Sequence, residues 1–200
     1  MPAVGNRWTR RRFALALPLL GALAYLHPRQ ALAGMVEGAQ PLVRASRTLM
    51  GTRVDIAAAV GNGRDAGAVQ QAMLHAFAEM ERLEALMSRY REGSDVARLG
   101  AAAGRHAVHV APEVMQVLRT ARRLHQESAG AFDPTVGALR GWHFEPGHEA
   151  APAPEEIAQA LRLVNARYLV LDERAGTAYL ARTGMGLDLG GVAKLPILQA

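Results

Sequence analysis

The sequence contains no cysteine, only one lysine, and few aromatic residues, which make up 5% of its 200 positions. The absence of cysteine excludes a disulfide framework, a thiolate metal site and a cysteine nucleophile. The glycine-rich C-terminal stretch is neither a Walker A loop nor a dinucleotide fingerprint, and the chain has no nucleophile elbow or His-Glu-x-x-His helix. Half of the residues are apolar, which is enough for one sizeable core and predicts one domain or slightly more.

The net charge of +5 comes from residues 1–33. That segment contains five arginines and no acidic residue, and without it the basic and acidic residues are equal in number. A nucleic-acid-binding domain carries its basic surplus on its own surface. We therefore predict no nucleic-acid partner.

Residues 1–33 have the pattern of a twin-arginine signal peptide. Thr9–Phe13 reads TRRRF, Phe13–Leu26 is apolar, and Ala31–Ala33 resembles a small-x-small cleavage site. The apolar run is short for a bilayer span, which needs about 20 residues; an uncleaved N-terminal anchor is the alternative. We predict export by the twin-arginine route to the periplasm or cell envelope, with membrane contact only through this segment or a membrane-bound target.

The remaining chain, 34–200, predicts an α+β domain with helices packed on a mainly antiparallel sheet. Arg47–Val60 alternates as a strand does, and so does the shorter stretch 106–110. Three strands are predicted between 166 and 190, and helices begin near Pro112 and Pro154. Steps of three and four between apolar residues predict a long helix over 65–88. Its core stripe consists of Val69, Met73, Phe77, Met80, Leu83 and Met87.

Gly130–Glu149 has no periodicity but contains three aromatic residues. A solvated linker is poor in apolar residues, and a long ordered loop is more often functional than idle. We therefore predict a functional loop here. A metal site is an alternative for its crowded polar residues, which are His143, Glu145, His148 and Glu149.

Four stretches of this sequence match one family. In their order and spacing they resemble the ApbE family, the FAD:protein FMN transferases. The third stretch is the most specific, because Phe-Asp-Pro-Thr-Val-Gly followed by Trp-x-Phe is a rare combination. The resemblance implies that 34–200 is the N-terminal part of such a domain. The stretches are Leu49–Ile56, Leu86–Leu99, Gly130–Phe144 and Gly186–Lys194.

The resemblance implies the reaction and the residues that bind its substrate. The family reaction cuts the FAD pyrophosphate, transfers FMN to a Thr or Ser hydroxyl of a target flavoprotein and releases AMP. The resemblance also implies Mg²⁺, with the backbone carbonyl of Gly191 as a ligand, but it gives no catalytic side chain. The FAD-binding residues that it implies are Met50, Tyr90, Ala131, Phe132, Asp133 and Asp188.

The residue types suit this chemistry. Met50 and Tyr90 offer thioether and aromatic surfaces on which a flavin can pack. Asp133 and Asp188 offer acceptors for adenine or ribose, and glycine at 191 allows a backbone carbonyl to approach a hard cation.

Each residue also has an ordinary structural explanation. Taken alone, Met50 is a core residue and Tyr90 a half-buried surface residue. Asp133 before proline is a turn former, and Asp188 caps a following helix.

After Lys194 the sequence departs from the family pattern. The resemblance implies a Gly-Tyr continuation into a long helix and later Asp and Thr metal ligands. Here Leu195 and Pro196 follow, and Pro196 predicts a break in the helix. We expect a truncated or frameshifted family member, with two alternatives: an inactive or flavin-binding-only protein, or an accessory flavinylation factor of the nitrous-oxide respiration type.

Overall fold

The computed structural model describes residues 41–61, 65–141 and 151–200, which form an α+β fold as predicted. The predicted signal peptide and residues 142–149 of the predicted loop lie outside this range. No helix in the described ranges is long and apolar enough to cross a bilayer. The elements are β1 (Leu42–Leu49), β2 (Thr52–Ala59), α1 (Ala66–Met87), α2 (Asp95–Ala102), β3 (Val108–His109), α3 (Pro112–Glu127), α4 (Pro154–Leu161), a 3-10 turn (Ala166–Tyr168), β4 (Leu169–Asp172), β5 (Thr177–Leu180) and α5 (Gly190–Leu198).

β1 and β2 form an antiparallel hairpin, so the prediction of a single strand over Arg47–Val60 is wrong. Leu49 pairs with Thr52, which leaves only Met50 and Gly51 in the loop, with φ values of 53° and 66°. Positive φ at both positions matches the twist of the two strands. The turn was hidden in the sequence because methionine stands where such loops usually have asparagine or aspartate.

α1 confirms the predicted long helix and its core stripe. The Asp65 side chain accepts a hydrogen bond from the Ala68 N–H at 2.6 Å and caps the N-terminus. All six predicted stripe residues are buried. α1 packs on β1, α2, α3 and α5, so it forms the centre of the core.

The second sheet has the antiparallel order β3-β5-β4. The strand predicted over 106–110 is shortened to β3, and the third strand predicted before residue 190 does not form. Instead, Gly186 makes a lone parallel bridge with Val136, and the Asp188 N–H donates to the Pro134 carbonyl at 2.8 Å. Residues 186–188 therefore pair with the irregular loop after α3, because this loop, and not the edge of a strand, lies beside them. This contact joins the loop after α3 to the start of α5.

α5 runs through Pro196, so the predicted break is wrong. Proline inside a helix costs about 3 kcal/mol because it removes one hydrogen bond and crowds the preceding turn. Val192, Ala193 and Ile197 are buried on the same helix. Their burial, at roughly 1.5–3 kcal/mol for a large side chain such as Ile197, offsets that cost.

Candidate functional site

A cavity of about 270 Å³ opens where the β1–β2 loop, the end of α1 and the start of α5 meet. We call it the Met50 cavity. Pockets that enclose whole drug-sized ligands have about 300–1,000 Å³, so this cavity fits one flat ring system rather than a whole dinucleotide. It is lined by Met50, Gly51, Glu84, Met87, Ser88, Arg89, Tyr90, Asp188, Leu189, Gly190, Ala193, Lys194 and Ile197.

Met50 reaches the cavity from a strained backbone position. A left-handed conformation costs a residue with a Cβ about 1–2 kcal/mol, and such strain persists where the surrounding structure imposes it. Met50 is half-buried and packs against the core. An ordinary core position therefore explains the packing of Met50 but not its positive φ.

Tyr90 is 80% exposed at the rim of the cavity. It is thus more open than the half-buried surface residue that is the ordinary expectation. The Arg89 Cζ lies 5.4 Å from the centroid of its ring, within the range of a cation–π contact. An exposed aromatic ring beside a cavity provides a stacking surface for a flat ligand.

Asp188 also lines the cavity, and each of its carboxylate oxygens has a partner. Oδ2 accepts from Arg89 Nη1 at 2.9 Å, and Oδ1 accepts from the Gly190 N–H at 2.9 Å. Asp188 thus orders the turn that enters α5, but the N-cap residue of that helix is Leu189, which has no side-chain cap hydrogen bond. The Asp188 side chain is 34% exposed, so it is also accessible from the cavity.

The structure does not bring the side chains of Ala131, Phe132 and Asp133 to the Met50 cavity. The Phe132 N–H donates to Ser128 Oγ at 3.0 Å, and its ring packs against the start of α5. A Cβ at Gly191 would lie 3.2 Å from Phe132 Cε2. Glycine at 191 thus has a packing reason besides the predicted metal contact.

The Asp133 side chain forms its hydrogen bonds with other residues of the fold. Its Oδ1 accepts from the N–H and the hydroxyl of Thr135, and its Oδ2 accepts from the Ala166 N–H at 3.0 Å. His125 Nδ1 lies 3.3 Å from the same Oδ2. The side chain therefore acts as the turn former that the Asp-Pro sequence predicts, and it ties the loop to the 3-10 turn.

The described residues do not assemble a magnesium shell. They contain no group of three or more His, Asp or Glu residues placed to hold a metal ion. The carboxylate of Asp188 is engaged by Arg89, and Gly191 offers only its carbonyl. The alternative metal residues of the loop lie outside the described range; they are His143, Glu145, His148 and Glu149.

Sequence reasoning missed Glu84, Arg89 and Lys194 as cavity residues. Two spacings could have found two of them: Glu84 precedes Met87 by one helical turn, and Lys194 follows Gly190 by another. Arg89 has only its place beside Tyr90 as a signal. Its partner is far away in sequence, so only the fold shows the pairing.

A profile of the ApbE family matches residues 50–199. The FAD:protein FMN transferase of Treponema pallidum is 34% identical over 139 residues, which are 66% of this chain and 38% of that protein. The enzyme of the same name from Klebsiella pneumoniae is 32% identical over 119 residues, 59% of this chain and 38% of that protein. The chain therefore spans about 38% of the length of these curated relatives.

Solved structures share the fold. The ApbE protein of Thermotoga maritima superposes with a TM-score of 0.69 at 25% identity, covering 80% of this chain and 50% of that one. The flavin transferase ApbE of Vibrio cholerae gives 0.66 at 24% identity, covering 80% and 52%. On the match between residues 50–199 and the family profile, the chain belongs to the ApbE family.

Proposed function

We propose that this chain is the flavin-binding part of an FAD:protein FMN transferase. One observation carries the proposal: Met50, Tyr90 and Asp188, which are distant in sequence, line a single cavity. The similar proteins of Treponema pallidum and Klebsiella pneumoniae are named for this activity. The proposed reaction moves FMN from FAD to a Thr or Ser hydroxyl of a target flavoprotein and releases AMP.

In this proposal the cavity holds the flavin ring of FAD. The Met50 thioether and the Tyr90 ring provide apolar surfaces for it. Asp188 accepts a hydrogen bond from the ligand, while Arg89 keeps its carboxylate in place. When the flavin ring covers these side chains, it excludes water from them. The hydrogen bond to Asp188 is then stronger than it would be in water.

Magnesium is part of the proposal as the ion that the family resemblance implies. When bound, it would neutralise charge on the phosphates. The described residues offer it only the Gly191 carbonyl and the Arg89-paired carboxylate of Asp188, so we assign no step to it.

We further propose that the protein works in the periplasm or cell envelope. The TRRRF stretch at Thr9–Phe13 supports export by the twin-arginine route. Fractionation of cells that produce the chain with Arg10 and Arg11 both replaced by lysine tests this. We expect loss of the exported form, and unchanged export would contradict the proposal.

The transfer activity is tested by incubating the purified chain with FAD, Mg²⁺ and a protein that carries the acceptor threonine. We expect flavin fluorescence that stays with the acceptor band after denaturing electrophoresis. An acceptor with alanine in place of that threonine is the control. Absence of covalent flavin, with a folded chain and intact acceptor, would contradict the transferase.

A flavin-binding protein without transfer activity is the second candidate. The lack of a metal-holding cluster among the described residues favours it, since binding needs only the cavity. Flavin that copurifies with the chain but is never transferred would establish this function. Loss of that flavin on Tyr90→Ala would place it in the cavity.

A further inference from the structure

Two grooves of about 790 Å³ and 930 Å³ run along α3. Both are lined by Arg122 and Gln126, so they form one continuous surface, which we call the α3 trough. The wall opposite α3 includes Leu169 at the start of β4 and Glu173 just after its end. The trough has no lining residue in common with the Met50 cavity, so it is a separate surface of the molecule.

One edge of β4 is open beside this trough. β4 is the last strand in the order β3-β5-β4, and no strand of the described ranges pairs with its other side. The Ala181 N–H donates to the Tyr168 carbonyl at 2.9 Å and continues the register of β4 with β5. Since alternate residues of an antiparallel strand direct their backbone groups at one partner, the N–H and carbonyl of Leu171 point away from β5. Such an open edge is a template for a further strand.

The trough carries a surplus of positive charge. The charged side chains that line it, among the residues described, are four arginines, one glutamate and one aspartate. Both acids are already engaged, since Glu173 pairs with Arg119 at 3.1 Å and Asp133 accepts hydrogen bonds within the fold. A surface of this charge favours a negatively charged partner. The four arginines are Arg119, Arg122, Arg123 and Arg167.

The two faces of a strand added to β4 would meet different surroundings. α3 packs on the face of β4 where Leu169 is buried, whereas Val170 on the opposite face is 52% exposed. Because successive strand residues point to opposite faces, alternate residues of the added strand would face α3, and the others would lie beside Val170. Same-face residues of a strand are about 6.7 Å apart, and helix residues four apart are separated by about 6 Å. Acidic residues two positions apart can therefore face Arg119 and Arg123.

We propose that the α3 trough binds an extended segment of a partner protein, in which acidic and apolar residues alternate, as an added strand on β4. A nucleic acid lacks the alternating N–H and carbonyl groups that continue a sheet. A second copy of this chain would present Leu169 and Leu171 of its own β4 to the arginines, where acidic residues fit. The proposal is independent of the proposed function, because the trough and the Met50 cavity are separate.

The test is fluorescence anisotropy with a labelled hexapeptide of alternating glutamate and valine. Arg122→Gln/Arg123→Gln should bind it about tenfold more weakly, because charge-assisted contacts are lost. Arg44→Gln/Arg91→Gln removes the same charge at exposed positions outside the trough and should bind as the wild type does. Leu171→Pro removes the edge N–H and should also bind about tenfold more weakly. Its control, Leu171→Ala, loses the same side-chain packing but keeps that donor.

Equal affinity of the wild type and Arg122→Gln/Arg123→Gln would overturn the proposal, and so would equal affinity of Leu171→Pro and Leu171→Ala. Tighter binding of an alternating lysine–valine peptide, or of a single-stranded oligothymidine, would overturn it as well. Sedimentation that shows a dimer lost in Leu171→Pro, without peptide binding to the wild type, would assign the edge to a second copy. If circular dichroism shows that Leu171→Pro is unfolded, the arginine variant and the lysine peptide decide.

Discussion

Arg89 and Asp188, 99 positions apart, form an ion pair of 2.9 Å between Nη1 and Oδ2 at the wall of the Met50 cavity. Arg89 Nη2 also donates to the Leu139 carbonyl at 3.4 Å. The arginine thus holds together the end of α1, the start of α5 and the loop after α3. An ordered carboxylate in a partly buried position is the kind of acceptor that a ring ligand needs for a fixed orientation.

The two roles of Asp188 can be separated by substitution. Asp188→Asn keeps an acceptor for the Gly190 N–H but removes the charge, so we expect FAD binding to weaken about tenfold. The pair is partly exposed, so the free energy of unfolding should fall by only about 0.5 kcal/mol. Asp188→Ala also removes the acceptor for the Gly190 N–H and should cost about 1 kcal/mol more. Flavin titration and urea unfolding measure both; FAD binding by Asp188→Asn at the wild-type affinity would contradict the site.

Met50 should show opposite effects on stability and binding. Met50→Asn suits the left-handed conformation of the loop, so we expect a gain of about 1 kcal/mol in the free energy of unfolding. Riboflavin binding should weaken because the thioether surface is lost. Met50→Leu, which keeps the apolar bulk and the strain, is the control and should retain most of the affinity. Equal riboflavin affinity in all three proteins would remove Met50 from the site.

Gly137 marks a place where two backbones touch. A Cβ there would lie 2.2 Å from the carbonyl carbon of Leu187, and backbone on both sides cannot move aside cheaply. We expect Gly137→Ala to lower the free energy of unfolding by about 3 kcal/mol or more. Gly100→Ala, with only ordinary contacts around the new methyl group, should raise it by about 0.5–1 kcal/mol. Urea unfolding of both variants measures this difference. Similar free energies of unfolding for the two would contradict a close contact between the backbones at Gly137 and Leu187.

Arg82 on α1 forms ion pairs with Glu79 of the same helix and with Glu113 of α3. These pairs make the free energy of unfolding depend on pH in the acid range. The hydrogen bonds of Arg82 hold the pKa of Glu79 and of Glu113 below the ordinary value of 4.5. Lowered carboxyl pKa values stabilise the fold above the unfolded pKa, and this contribution is lost as the pH falls through the folded pKa.

We therefore expect wild type to be more stable than Arg82→Gln at pH 7, and the two unfolding curves to converge as the pH is lowered from about 4.5 towards 2. Exposed ion pairs are screened, so the difference should shrink in high salt. Arg174→Gln, an exposed substitution in the β4–β5 turn, is the control. A difference that persists unchanged at low pH would contradict this account.

Features that depend on neighbours within a few residues could be predicted from the amino-acid sequence. The stripe of α1 follows from steps of three and four, and all of its members are buried. At the start of α2, Ser94 accepts from the Ala97 N–H at 2.9 Å, and serine is a residue type typical of that position. Family membership likewise followed from short motifs, because each motif is read locally.

Features that depend on contacts between distant residues became visible only in the folded chain. It placed Met50, Tyr90 and Asp188 around one cavity but turned the Asp133 side chain towards Thr135 and Ala166. It also showed the turn at Met50, which the alternating pattern hid. Pro196 stayed inside a helix because burial of its neighbours outweighs a local cost. The Arg89–Asp188 pair has no sequence signal at all, since its two halves meet only after α1 and α5 have packed together.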